Sequence, residues 1–437
     1  MKPWLAPAST PPSPLHAGLT VLAVATMLYT SVVQARIPGS TAVIALCALA
    51  FTRAEWSLAG PWPLRLWAGF PAVVRGYLRR PGYWLPALLP LAYLLALAWS
   101  ADPWFGARHV RIASVCLGVP LATFALRGVL LRYRRALGWA FVAFATVAAL
   151  AAAGYVLLNQ EALIVALGKG RAVPTPIGHT RFSATLAFAV LAALSLAASA
   201  GELSPKPELR RGLALACALA LAAGLHVIAV RTGLVVLYAG LALAGARWLL
   251  GRVSPWVALP LLAAGIAGAA ALATRVPSVA RKLAYTQYDL EQLRAGDAAT
   301  YSDASRLLSA RAALDIIGDS PLTGAPRGLL REEMTARYHA MGHPEAHHLP
   351  TNQYLFSWAL AGLPGLVGAV AALFGALWRR RWWRVPLLAE SCVLSGLIAL
   401  AETPLAADQG AAFTMLAIYL AGLTAVDADA DAAAAAA

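Results

Sequence analysis

The sequence is dominated by a succession of apolar stretches, near 17–33, 37–52, 84–100, 110–126, 136–158, 184–200, 212–230, 233–249, 255–273, 352–377, 386–402 and 410–426. In a bilayer every backbone N–H and C=O has to be satisfied within the segment, so runs of this length cross as helices. A crossing takes about 20 apolar residues, and the shorter runs borrow flanking positions. The pattern predicts an all-α, polytopic integral membrane protein of about 12 transmembrane helices. A water-soluble fold fails on composition. The chain is 60% hydrophobic and 13% charged, against about 25% charged in ordinary globular proteins. The expected organisation is 1–273 with helices one to nine and short loops, 274–351 as one large loop, 352–426 with helices ten to twelve, and 427–437 as a low-complexity tail.

The net charge of +15 reads as orientation. With a cytoplasmic N-terminus, alternate connections hold nineteen basic residues, among them Arg75, Arg79, Arg80, Arg127, Arg132, Arg134 and Arg135. The opposite short connections hold seven: Arg36, Arg108, Arg111, Lys169, Arg171, Arg181 and Arg231. Excess Lys and Arg mark the cytoplasmic side, so both termini are expected there, in a bacterial inner membrane, with no nucleic acid partner. The first run reads as a retained span, because no polar mature region follows a small-residue cleavage site. Cys47, Cys116, Cys217 and Cys392 fall in separate apolar runs, so neither disulfides nor a cysteine metal site is expected.

The long connection 274–351 balances nine basic with nine acidic residues. Long loops translocate regardless of charge, which allows it to be periplasmic. Within it, 302–317 has apolar residues at 307, 308, 312, 314, 316 and 317. That spacing predicts an imperfect amphipathic helix with Asp303 or Ser302 as N-cap. A Pro- and Gly-marked turn at 320–328 precedes a second helix near 329–341.

Several residues resist the topological reading. Arg231 stands in LHVIAVRTGLVVLYAG with no polar loop around it; an arginine near membrane depth is costly and faces a cavity, an anion or the interface. Arg181, beside His179, opens the sixth run. The stretch AHHLPTNQYLFSWALAGLPGL, 346–366, places His347 and His348 just before the tenth helix. Thr351 is expected to cap that helix. His343 and His347 have helical metal-pair spacing but no HExxH glutamate, and Pro344 disfavours the helix, so no metal is expected. Glu390 is expected to pair with the RRRWWR cluster, Glu402 to end a helix, and Asp102 to cap a turn with Arg108 and Arg111 along the headgroups.

A neutral imidazole can take the proton of a reacting hydroxyl near neutral pH. A guanidinium offers a planar fork that can stabilise an anion such as a phosphate. His348 or His347 fits the first role. Arg231 and Arg306 fit the second, with Arg311 and Arg181 behind them.

The layout as a whole resembles the O-antigen ligase and polymerase superfamily. The resemblance is carried by Arg231-Thr232-Gly233 opening a span, GHTRFSATLAF at 178–188, the Ser-x-x-x-Arg and Pro-Leu-x-Gly elements of the long loop, and the histidine-rich segment leading into Asn352-x-Tyr354-Leu355. It implies a membrane glycosyltransferase that moves a glycan from undecaprenyl diphosphate to a hydroxyl of lipid A-core on the periplasmic face, without cofactor. Polymerase and protein O-oligosaccharyltransferase activities share the layout. His179, Arg181, Arg311 and Asn352 are then expected to contact diphosphate or glycan. The chain departs from the family pattern at Thr351, where His is usual. A reading of another class, a twelve-span transporter or flippase, requires two similar halves and charges at midplane; the sequence shows neither.

Overall fold

The computed structural model describes residues 5–6, 11–33, 36–54, 64–160, 163, 174–199, 206–275, 291, 302–378, 385 and 387–423. These are helical apart from three short strands near the N-terminus, ordered Leu5–Ala6, Leu64–Trp67, Thr52–Ala54, with the first pairing parallel and the second antiparallel. The helices run α1 (Pro14–Thr30), α2 (Arg36–Phe51), α3 (Phe70–Leu78), α4 (Pro81–Trp99), α5 (Pro103–Ala113), α6 (Val115–Ala125), α7 (Arg127–Leu158), α8 (His179–Ala198), α9 (Pro207–Ile228), α10 (Arg231–Leu250) and α11 (Pro255–Thr274). The long loop supplies α12 (Ser302–Asp319) and α13 (Leu330–Ala340), and the chain continues through α14 (Gln353–Phe374), α15 (Leu388–Ala401) and α16 (Asp408–Ala421).

Among the described residues six helices are long and apolar enough to cross a membrane: α4, α7, α8, α9, α10 and α14 with its 3-10 extension to Leu377. Pro14–Thr30, Ile37–Phe51, Pro255–Gly265 and Leu388–Ala401 are shorter apolar helices. This is a multi-pass membrane protein. Each expected apolar run overlaps a helix, though among the described residues not every run appears as a single full-length span. One reason is local: the 110–126 run is divided between α5 and α6 at Ser114, and Pro120 lies inside α6.

α8 is the most buried span and packs against α7, α9 and α10. Its Ala- and Ser-rich surface lets neighbouring backbones approach closely. The glycine of the Arg-Thr-Gly element uses this: a Cβ on Gly233 would lie 2.3 Å from Ser183 Cβ. Leu213, Leu219, Val147, Leu150, Val257 and Leu259 are exposed, as suits helix faces turned to lipid. The four cysteines are free.

The long loop is seated on the helices. α12 buries Ala304, Leu308, Ala312, Ala313, Ile316 and Ile317 in the common core. The i, i+4 series 304, 308, 312, 316 forms its inner face, whereas Leu307 and Leu314, expected inside, are exposed. The turn after α12 meets a break in α14, where Ala361 and Gly362 leave helical geometry, Gly362 with φ 66° and ψ −161°. The freed backbone groups find partners in the turn. Leu363 N–H donates to the Pro321 carbonyl at 2.9 Å, and Ala325 N–H donates to Ala359 at 2.7 Å. Trp358 Nε1–H also donates to Pro321, at 2.9 Å. The Pro-Leu-x-Gly element thus fills the gap in a broken helix.

Candidate active site

Two of the expected arginines meet. Arg231, the first residue of α10, sets both guanidinium nitrogens on Asp303, Nη1 to Oδ2 at 2.5 Å and Nη2 to Oδ1 at 3.1 Å. Arg306 Nη1 lies 3.9 Å from Asp303 Oδ1, one helical turn along α12. Asp303 or Ser302 was expected to cap α12; both lie within its first turn instead, the Asp303 carboxylate engaged by arginine. All three side chains remain about a quarter to a third exposed. A guanidinium carries five N–H donors, and Arg306 turns one nitrogen to Asp303. Arg311, five residues beyond Arg306, is exposed and is not brought to this cluster by any contact on the described chain.

His347 and His348 stand side by side on the surface, ring centres 5.2 Å apart. His347 Nδ1–H donates to the Glu345 carbonyl at 3.0 Å, so its neutral form carries the lone pair on Nε2. The His348 carbonyl accepts from the buried Tyr338 hydroxyl at 2.8 Å, tying this loop to α13. Partial desolvation lowers the His348 pKa, and the neighbouring His347 adds to the shift. At neutral pH the ring is therefore an unprotonated base. His343 faces Glu345 at 3.5 Å. Among the described residues no group of three His, Cys, Asp or Glu is placed to hold a metal ion.

The cap of α14 is Asn352, correcting the expectation for Thr351. Asn352 Oδ1 accepts from Tyr354 N–H at 2.9 Å and Leu355 N–H at 3.1 Å, satisfying two orphan donors at once. Behind it a buried chain fixes the helix start. Gln353 Nε2 donates to Ser357 Oγ, which is 2.8 Å from the Tyr93 hydroxyl, and Gln353 Oε1 accepts from Leu405 N–H. Asn352 thus positions the helix, and Thr351 is free to face a cavity.

That cavity, about 220 Å³, is lined by Arg108, His109, Arg331, Thr351, Phe356 and Glu402 with their neighbours. A larger one, about 330 Å³, has Arg108, Gly178, Arg181, Thr185, Asp408 and Gln409 in its wall. Arg108 and Ala406 line both, so the two adjoin. Arg181 thus lines a cavity wall, and His179 opens α8 beside it, half-buried. A third cavity, about 350 Å³ and mostly apolar, holds none of the expected site residues. Sequence reasoning missed His109 and Arg331, which stand in ordinary helical surroundings and are joined only by the fold.

Other expectations change partner. Arg108 lines cavities, and Arg111, still exposed, pairs with Asp408 at 3.2 Å. Asp102 does cap α5, accepting from Phe105 N–H at 3.0 Å. Glu390, buried, pairs with Arg247 at 2.7 Å. The RRRWWR cluster proposed as its partner lies outside the described residues.

Residues 213–370 match the family model described as O-Antigen ligase. No curated protein matches the chain. The matched stretch contains Arg231, Asp303, Arg306, Arg311, His347, His348 and Asn352, which means that residues 213–370 of this membrane protein are an O-antigen ligase family domain.

Proposed function

We propose that the protein is a membrane glycosyltransferase that moves an O-antigen glycan from undecaprenyl diphosphate to a hydroxyl of lipid A-core at the periplasmic face. The observation that carries this reading is the convergence of Arg231 and Arg306 on Asp303 within the O-antigen ligase domain. The acceptor oxygen attacks the anomeric carbon, and the bond from that carbon to the diphosphate breaks. The electron pair leaves with undecaprenyl diphosphate, and the hydroxyl proton passes to a histidine, His348 or the adjacent His347. Arg231 and Arg306 meet the growing negative charge with donors already oriented by Asp303. Arg181 contacts the carrier from the wall of the larger cavity, with His179, Arg311 and Asn352 as further glycan or diphosphate contacts. The excess of basic residues in alternate connections supports cytoplasmic termini and a periplasmic site.

Replacing Arg231 by lysine is expected to lower turnover at least tenfold, because an ammonium keeps the charge but loses the two-point geometry on Asp303 and phosphate. Wild-type rates for Arg231→Lys in a transfer assay would place Arg231 outside the reaction. Gel analysis of lipopolysaccharide after loss of the gene separates the related activities. Core without O-chain, together with accumulated lipid-linked polymer, is the expected result. Core bearing one repeat would make the protein a polymerase, and unchanged lipopolysaccharide would favour protein O-glycosylation.

A further inference from the structure

The cavity beside Thr351 carries more than a transfer reaction requires. Arg108 and Arg331 share its wall with one carboxylate, Glu402. Among the described residues none of these three is in an ion pair, so the cavity holds one uncompensated positive charge. It also holds two acceptors. Glu402 is one; His109 is the other, only 6% exposed. His109 Nδ1–H donates to the Phe105 carbonyl at 2.8 Å, which leaves the lone pair of the neutral ring on Nε2. Burial lowers the His109 pKa; the Phe105 hydrogen bond opposes this, and Arg108 and Arg331 reinforce it. Phe105 and the buried Phe356 hold the imidazole in place, 4.4 and 5.3 Å from its centre, and the Arg331 guanidinium lies over the Phe105 ring at 5.4 Å.

We propose that this cavity binds a single sugar ring bearing an anionic substituent, a carboxylate or a phosphate. The substituent lies between Arg108 and Arg331, and ring hydroxyls donate to His109 Nε2 and Glu402. Arg108 and Arg331 are exposed, so water screens their charge, but a neutral sugar would make no use of it, and a bare anion would leave the buried His109 Nε2 without a donor. An acidic sugar satisfies both. The volume, about 220 Å³, lies below the roughly 300–1,000 Å³ of pockets for larger ligands and suits one ring. The inference rests on the glycosyl-transfer reading, in which such a ring would belong to the acceptor.

The test measures binding to the detergent-purified full chain, by ligand-observed NMR titration with glucuronate, glucose 6-phosphate, glucose and inorganic phosphate. One of the two acidic sugars is expected to bind at least tenfold more tightly than glucose and than inorganic phosphate, and which one wins identifies the substituent. Arg331→Ala, and Arg331→Gln as a variant of closer size, are expected to weaken that binding about tenfold or more, the effect of removing a charged hydrogen-bond partner. Equal binding of glucose, equal binding of bare phosphate, no saturable binding, or unchanged affinity in folded Arg331 variants would each overturn the proposal. Transfer is measured separately. Transfer without acidic-sugar binding removes the subsite and leaves the reaction; binding without transfer removes the reaction and leaves the subsite.

Discussion

Replacing His348 by alanine is expected to reduce glycan transfer by about 100-fold to 10,000-fold, the usual contribution of a positioned general base. The protein should remain folded, since the His348 ring is exposed and the contact to Tyr338 is made by the backbone carbonyl. The pH dependence follows from the same ring. Its pKa lies below the ordinary imidazole value, about 6.5. The neutral, active form is therefore fully present at neutral pH and is lost as pH falls through the lowered pKa. The acid limb of the wild-type rate should lie below pH 6.5 and disappear from the residual activity of the alanine variant. His347 is the control. If His347→Ala is inactive and His348→Ala is not, the role shifts by one residue, to the ring whose Nδ1–H is already held by Glu345.

Gly362→Ala is expected to have the largest effect on the fold. Its backbone, φ 66° and ψ −161°, lies in a region that is essentially limited to glycine, and a side chain there costs about 1–3 kcal/mol from strain alone. The added Cβ would also sit 2.0 Å from the Leu322 carbonyl oxygen, so the Pro-Leu-x-Gly turn could not remain in the break of α14. Undocking it would orphan the backbone groups of Leu363 and Ala359 that the turn now satisfies. A loss of at least 3 kcal/mol is expected, read as a large fall in the melting temperature of the detergent-solubilised protein. A Gly362→Ala protein that melts with wild type would mean that the turn does not hold the loop on the helices.

How far the sequence revealed this arrangement depended on how local each cause is. Apolar length is local, and every expected run overlaps a helix. The helices at 302–319 and 330–340 were visible for the same reason, in spacing and turn chemistry. Capping was legible to within one residue: Thr351 and Asn352 are both good N-caps, and only the reach of Asn352 Oδ1 to two N–H groups decides between them. Arg231 was conspicuous because nothing nearby accounted for it. Its partner was not, since Asp303 lies 72 positions away and reads locally as a cap. The Glu390–Arg247 pair spans 143 positions and was hidden in the same way. The cavity with Arg108, His109, Arg331 and Glu402 draws on three separate elements, so no spacing rule could assemble it. The glycine at 362 stood inside an apolar run that looked like continuous helix, and its need became visible only with the carbonyl of Leu322 packed against it.

The central claim is that this protein forms a glycosidic bond rather than moving a lipid. The most direct measurement supplies the purified protein in detergent with undecaprenyl-diphosphate-linked glycan and lipid A-core, and follows the acceptor by gel and mass spectrometry. The account predicts lipid A-core carrying the glycan, with undecaprenyl diphosphate released in equal amount and no requirement for a nucleotide sugar. Unmodified acceptor and intact donor, with protein shown to be folded, would contradict it.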